Sequence, residues 1–486
     1  MKKKWIILIC VIFATALVSC SKHSTPTGPA QPEDTTRKIV ILYTNDEHGW
    51  MEATENNGGA AEMMGLWREN EGYVKNSHFL ILSGGDLWTG PAISTWFEGE
   101  SMAEVMNAMH YSAAAIGNHE FDFKVEGLNA RLQQSDFPFL AANIREKTTS
   151  QPPDFSTPYV IKEVNDVKIG IIGLSSLFTP FTTFPDYVED YDFLEYANVL
   201  NEIVPKVRSD GAELLVVIGH ICVEEMQSLA PLAEQLGIAV IGGGHCHQRF
   251  AEVVNDVALI ESGSYLQAYA RVELTFDYEA DSVLTLNTSL HDNVGGTADD
   301  QIAAIVDIWK ARVDAQLSLV IGYAQQSISR YSAAMHNMVA DSWLWSFPSA
   351  NVAVTNRGGI RQDIPAGDIK LETIVGVLPF QNDLIELELT GAQLIEFITE
   401  GQLVIGGMTT VGGYKLTDGT PITQNHTYKV ITTDFLYAVR GYLATYDPTP
   451  NNLSVNYRQP LSDWISSLNT SVNIPLDNFL DTTPRW

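Results

Sequence analysis

From Lys38 onward, short apolar runs alternate with longer amphipathic or polar stretches. A continuous apolar run predicts a strand covered on both faces, whereas strict alternation predicts a strand covered on one. The first kind occurs at Ile39–Tyr43, Phe79–Leu82, Ala113–Ile116, Val167–Leu174, Leu214–Ile218 and Ile238–Ile241. Val257–Glu261 should pair close by, and the alternating Arg271–Phe276 reads as an edge strand. The pattern changes near Leu290–Asp299. The stretch DDQIAAIVDIWKARVDAQL that follows has helical spacing, with Ile302, Ile305, Ile308 and Trp309 on one side. It predicts a helix leading into a second domain that begins near Ser318. That domain should hold a strand at Asn351–Val354, a strand-turn-helix over Leu384–Glu400 and a strand at Tyr428–Thr432. Buried runs separated by amphipathic stretches predict α/β layers, and no internal repeat is apparent.

The N-terminus follows a different pattern. Lys2, Lys3 and Lys4 precede the apolar stretch Trp5–Val18, which has the form of a signal segment and is short for a membrane span. It ends in Leu17-Val18-Ser19-Cys20, similar to a bacterial lipobox, in which Cys20 would carry lipid. A polar, proline-rich stretch from Ser21 to Thr36 then reads as a flexible tether. The expected location is the cell envelope, with a lipid anchor as the sole membrane attachment. Removing Cys10 with the leader and lipidating Cys20 leaves Cys222 and Cys246, which is no disulfide framework. One bridge between them is geometrically conceivable, but Cys246 is expected to be a small residue pointing away from the chemistry.

The 486 residues suffice for two or three domains, and the net charge of -30 changes the choice of partner. Such a surface repels nucleic-acid backbone, so polymeric DNA or RNA is not expected. A small phosphate ester would need local cations, either arginines or bound metal. Several first-domain runs end on a residue able to supply metal ligands. Asp46 and His48 follow the first run, Asp86 the second, and Asn118, His119 and Asp122 the third. His220 follows "LLVVIG", and His245 and His247 sit in "GGGHCHQ". Parallel α/β sheets gather ligands at the carboxyl ends of their strands, so these residues should converge. Five of the eleven histidines lie there. Oxygen donors mixed with imidazoles suit zinc, manganese, iron or cobalt, whereas a calcium site would be all oxygen. Asp46 and His48, two apart in an extended chain, should point the same way.

The ordered set "NDEHG", "GGD", "GNHEFD", "IGH" and "GGGHCH" resembles the motifs of the calcineurin-like metallophosphoesterases, and within them the 5′-nucleotidase family. The resemblance implies a four-layer β-sandwich flanked by helices, followed by a smaller α+β substrate-binding domain. It implies two divalent cations, one held by Asp46, His48, Asp86 and His247, the other by Asp86, Asn118, His220 and His245. His119 and Asp122 match the catalytic pair, with Asp122 orienting the imidazole. Such a pair of cations activates water and clamps phosphoryl oxygens for in-line attack. The corresponding division of the chain is a leader over 1–20, a tether over 21–36, a dimetal domain over 37–292, a linker helix over 293–319 and a substrate domain over 320–486.

The resemblance continues into the second domain. "TNRGGIR" is similar to the family's "NGGGIR", which places Asn356 and Arg361 at a nucleotide-binding face. "LPFQND" and "TTDFLYAVRGY" look like the segments whose aromatics stack on the base, here Phe380 and Phe435. "SRYSAAMHNMVADS" is a loose match that brings in Arg330. One departure stands out: the family's glycine pair and aspartate are replaced around Val439, Arg440 and Gly441. The expected activity is hydrolysis of 5′-nucleotides to nucleoside and phosphate. The departure keeps open cyclic nucleotides, nucleotide sugars or non-nucleotide esters, and a surface binding protein with an inactive phosphatase domain is the reading from another class. Oligomeric state is not legible.

Overall fold

A computed structural model describes residues 35–486. The expected leader, Cys20 and nearly all of the tether lie outside the described residues. Among the described residues, fourteen strands build the first part: β1 (Thr36–Thr44), β2 (Phe79–Ser83), β3 (Ala113–Ala115), β4 (Phe139–Leu140), β5 (Ile144–Glu146), β6 (Tyr159–Val164), β7 (Val167–Leu174), β8 (Tyr191–Phe193), β9 (Leu214–Gly219), β10 (Ile238–Gly242), β11 (Arg249–Val254), β12 (Val257–Ser262), β13 (Ala268–Asp277) and β14 (Ser282–Asp292). One six-stranded sheet runs β14-β13-β1-β2-β3-β4 and a second runs β11-β12-β10-β9-β7-β6, while β5 and β8 pair separately. The strands β1 to β4 are mutually parallel, as are β12, β10, β9 and β7.

The side-chain period of two explains the layering. On β1, Ile39, Ile41 and Tyr43 face the core between the sheets, while Val40 and Leu42 face helices outside. On β9, Leu214, Val216 and Ile218 face that same inner core, and Leu215 and Val217 face the opposite helices. Helices Ala60–Glu69, Glu100–Ala108 and Asp300–Leu317 cover one outer face; Tyr196–Ser209 and Val223–Leu236 cover the other. The result is a helix–sheet–sheet–helix sandwich with one core between the sheets and one beneath each helical layer.

Two local expectations are corrected. Arg271–Phe276 is no edge, because β13 lies between β1 and β14. Its alternation arises because Val272, Leu274 and Phe276 enter the inner core while Arg271 and Glu273 form ion pairs with Glu71 and Lys38 on the other face. The true edge, β14, is polar enough to escape a hydrophobic pattern. The helix Asp300–Leu317, capped by the Asp299 side chain, buries Ile302, Val306, Trp309, Val313 and Leu317 against the first sheet's helical layer, leaving Ile308 60% exposed. Spacings of three and four select that stripe, and Ile308 falls beside it.

The second part is α+β. Its five-stranded sheet has the order Leu403–Gly406, Val352–Asn356, Thr427–Thr433, Asp383–Thr390, Asn451–Asn456. Helices Ala333–Ser346 and Gln459–Ser467 pack on one face around Trp343, and Gly391–Thr399 packs on the other with Leu394 and Phe397. Among the described residues no helix is long and apolar enough to cross a membrane.

Candidate dimetal site

The ligand-type residues sit in the loops that leave β1, β2, β3, β9 and β10, so both sheets contribute at one end of the sandwich. The structure brings them into two groups, Asp46 with His48 and His247, and Asp86 with His220 and His245; within each, the candidate ligand atoms lie within 4.8 Å of one another. Asn118, His119 and Asp122 line the same cavity. Convergence therefore follows the strand-end argument, but the local reason differs from an extended Asp-x-His pair. Asp46, His48, Asp86, His245 and His247 have φ of 51°, 47°, 60°, 74° and 55°. Left-handed backbone at non-glycine residues is costly and clusters where surrounding structure fixes a functional geometry. Tight turns, not an extended chain, aim these side chains inward.

Hydrogen bonds then select which atoms remain available. His48 Nδ1 lies 2.9 Å from the Thr89 carbonyl and His220 Nδ1 lies 2.9 Å from the Gly84 carbonyl, a pairing that leaves each Nε2 able to act as a ligand. Asp86 Oδ1 accepts the His119 backbone N–H at 2.9 Å. Its Oδ2 lies 3.0 Å from His220 Nε2 and 3.8 Å from His48 Nε2, facing both groups. Asp46 Oδ2 accepts from the His245 N–H at 2.9 Å and Asn45 Nδ2 at 2.7 Å. Asp46 Oδ1 and Asn118 Oδ1 are buried with no hydrogen bond, although His247 Nε2 stands 3.2 Å from the former. Buried oxygen atoms left without a donor, ringed by imidazole nitrogens, fit divalent cations.

The cluster is electrostatically polarised. Burial alone would raise the Asp86 and Asp46 carboxyls, but His220 beside Asp86 and His247 beside Asp46 hold both below the ordinary range. Burial opposes charge on His220, yet Asp86 raises it to about 10, while burial and then His220 depress His245 to about 4. His119 stands apart from the two groups. Its Nδ1 lies 2.8 Å from Asp122 Oδ2, and burial notwithstanding, Asp122 and then Asp86 raise its pKa.

Sequence reading passed over the residues that hold these loops. Glu120, fully buried, accepts the backbone N–H groups of Asp86, Leu87 and Gly117 at 2.9, 2.8 and 2.6 Å. Asn45 ties Asp46 to Ser262 and Gly263 across the sheets. Glu47 accepts from Thr44 and Ser83, and Glu261 accepts the Gln248 N–H. Burial pushes Glu47, Glu120 and Glu261 up to about 8, 7 and 9. The signal was present: each acid lies at the carboxyl end of an apolar run, where an unpaired charge would be costly. Cys246 also differs from expectation, since it is bonded to Cys222 with a Cα–Cα distance of 5.3 Å.

The opposite wall comes from the second domain. A cavity of about 570 Å³ has His48, Asp86, Asn118, His119, His245 and His247 on one side and Asn356, Arg361, Phe380 and Phe435 on the other. Arg361 Nη2 reaches to 3.0 Å from His48 Nε2, and Phe380 stacks on His119 with ring centroids 5.4 Å apart. Arg330 is not on this wall; it donates to the Tyr265 hydroxyl and the Arg361 carbonyl, so it braces Arg361. Phe178, Phe181, Phe184 and Tyr187 line the cavity from the loop after β7, an apolar contribution the sequence reading did not identify.

Residues 39–249 match the family model for calcineurin-like phosphoesterase, and residues 315–416 match that for the 5′-nucleotidase C-terminal domain. The chain therefore carries a calcineurin-like metallophosphoesterase domain followed by a 5′-nucleotidase C-terminal domain, and it is homologous to 5′-nucleotidases. Its first domain is that of a metal-dependent phosphoester hydrolase, a family that uses two divalent cations. Among its metallophosphoesterase relatives is a 5′-nucleotidase of Bos taurus, 27% identical over 410 residues, which cover 74% of this chain and 70% of that one. The cell wall protein Lmo0130 of Listeria monocytogenes is 24% identical over 507 residues, covering 84% of this chain but 64% of its own length. The chain thus spans under two thirds of that relative. The fold is shared with the crystal structure of a 5′-nucleotidase precursor from Thermus thermophilus, with a TM-score of 0.80, 22% identity, and coverage of 92% of this chain and 99% of that one.

Proposed function

We propose that the chain hydrolyses nucleoside 5′-monophosphates outside the cytoplasm, using two divalent cations held by Asp46, His48, Asp86 and His247 and by Asp86, Asn118, His220 and His245. The observation that carries this reading is the placement of Asp86 Oδ2 between the two ligand groups, at the floor of a cavity whose far wall bears Arg361 and Phe380. When bound, such cations supply an activated water and neutralise phosphoryl charge.

The chain's own residues do the rest. Asp122 holds His119 Nδ1, which leaves Nε2 toward the transferring phosphoryl group to stabilise its charge or to protonate the leaving oxygen. Arg361, steadied through its carbonyl by Arg330, is the mobile cation for the phosphate, moving from His48 to substrate oxygens. Phe380 and Phe435 offer flat apolar faces to the base, and Asn356, whose Oδ1 is buried without a partner, offers an acceptor to the nucleoside. Departure around Val439 and Arg440 favours a second reading within the same chemistry, in which another phosphate ester replaces the nucleotide.

An oxidised Cys222–Cys246 pair suits an exported protein, as does similarity to a cell wall protein; both support export, and the lipid anchor at Cys20 rests on the lipobox-like sequence alone. The proposal assigns the chain to the cell envelope with a small-molecule partner. A panel of AMP, a cyclic nucleotide, a nucleotide sugar, glycerol phosphate and an aryl phosphate, assayed with manganese, cobalt or zinc, tests the function. Preference for AMP is expected. Equal rates on AMP and the aryl phosphate would remove the nucleotide assignment, and no turnover by protein holding both cations would leave a binding protein.

A further inference from the structure

We propose that the Cys222–Cys246 disulfide is a positioning element of the metal centre, a brace that fixes the three ligand histidines contributed by the second sheet. This inference rests on the dimetal reading above. His220 follows β9, two residues before Cys222, and His245 and His247 flank Cys246 in the loop after β10. The bond therefore joins the two loops through which, among the described residues, that sheet reaches the ligand groups, and all three histidines lie within two residues of one of its ends.

The surroundings explain why a covalent brace is needed. The first-sheet loops are held internally by Glu120 and Glu47 and tied across to the second sheet by Asn45, each buried and multiply hydrogen-bonded. The second-sheet loop is tied at its two ends, and the stretch His245–His247 between them has fewer ties. Gly243 N–H bonds the Ile260 carbonyl and the Gly243 carbonyl accepts from the Tyr43 hydroxyl, both at 2.8 Å. Gly244 N–H bonds the Ile221 carbonyl and His245 N–H bonds Asp46, both at 2.9 Å, Cys246 N–H returns to Gly244 in its own loop, and Gln248 N–H bonds Glu261 at the far end. Gly242, Gly243 and Gly244 are buried and closely packed at the end of β10, but the chain beyond them must hold His245 and His247 at φ of 74° and 55°. The opposite end of the disulfide is well anchored. Cys222 starts the helix Val223–Leu236, its N–H bonded to Glu225 at 2.9 Å, and that helix is packed on the sheet through Met226, Leu229 and Ala233. Cys246 itself is exposed, so the bond contributes little burial and acts through geometry.

Manganese binding to the full chain, measured by calorimetry without substrate, tests the brace. The Cys222→Ala/Cys246→Ala variant should bind manganese about ten- to a hundredfold more weakly than the parent, as expected when supports of metal ligands are removed. Circular dichroism and thermal unfolding establish that the variant is folded at the temperature used. If it does not fold, the parent is folded first and then treated with a phosphine, which takes oxygen from water to become phosphine oxide while the S–S bond is reduced to two thiols. Weakened binding on that treatment gives the same support. Unchanged affinity in folded, bridge-free protein, even with a lowered Tm, would overturn the inference and leave the bond a stability device. A parent that binds no manganese would overturn the dimetal reading itself and this inference with it.

Discussion

The two walls of the cavity differ in how they are made. On the first-domain wall, five ligand-type residues hold left-handed backbone, backbone carbonyls pin the His48 and His220 rings, Asp46 and Asp86 accept backbone N–H groups, and these last four residues are almost wholly buried. On the second-domain wall, Asn356, Arg361, Phe380 and Phe435 are half-buried, at a strand end, on loops and at the start of a short helix. Rigid strand ends suit groups that must keep fixed distances to cations, and loops suit a surface that adapts to the organic part of a substrate. Changes to the first wall should alter metal binding and turnover together, and changes to the second should alter discrimination between substrates.

Four substitutions probe that contrast, in descending size of effect. Asp86→Ala removes the oxygen that faces both ligand groups and should cut turnover by about a thousandfold or more, the equivalent of several kcal/mol of transition-state stabilisation. Steady-state assays with added manganese check it. His119→Ala should lower kcat by about 10²–10⁴-fold while calorimetry still finds both cations, because no ligand group includes it. Glu120→Gln keeps the shape but replaces one of the two oxygens that accept three N–H groups with an NH2 donor, and should weaken metal affinity about tenfold or more. Unchanged affinity there would show that loop packing, not this carboxylate, sets the first wall. Phe435→Ala should raise KM for AMP about fivefold, roughly 1 kcal/mol of lost stacking, and leave KM for glycerol phosphate as it was. A parallel rise for both esters would break the division of labour.

Much of this arrangement was legible because the chemistry sits where hydrophobic runs stop. β7 and the strands before Asp46, Asp86, His220 and His245 were readable as apolar runs, and a parallel sheet delivers their ends to one place. What escaped was structure without an apolar signature. β14 is a polar edge strand, so β13 was mistaken for the boundary. The stripe on the helix Asp300–Leu317 includes Val306, Val313 and Leu317 rather than Ile308, which spacing over only two turns does not separate. The buried acids Glu120 and Glu261 stood at the ends of apolar runs, but the backbone N–H groups that they hold are not displayed by a sequence, so their role was passed over. The left-handed turns at Asp46 and His48 were invisible because residue type does not fix backbone angle there, and the sequence left the Cys222–Cys246 bridge conceivable but undecided because it does not give the distance between the two loops.

Elemental analysis of the folded chain after reconstitution with manganese or zinc and removal of free metal is the most direct test of convergence from both sheets. The account predicts two cations per chain in the parent and fewer in the Asp86→Ala variant, whose missing oxygen faces both groups. A folded parent that retains none, or a variant that retains both as tightly as the parent, would contradict it.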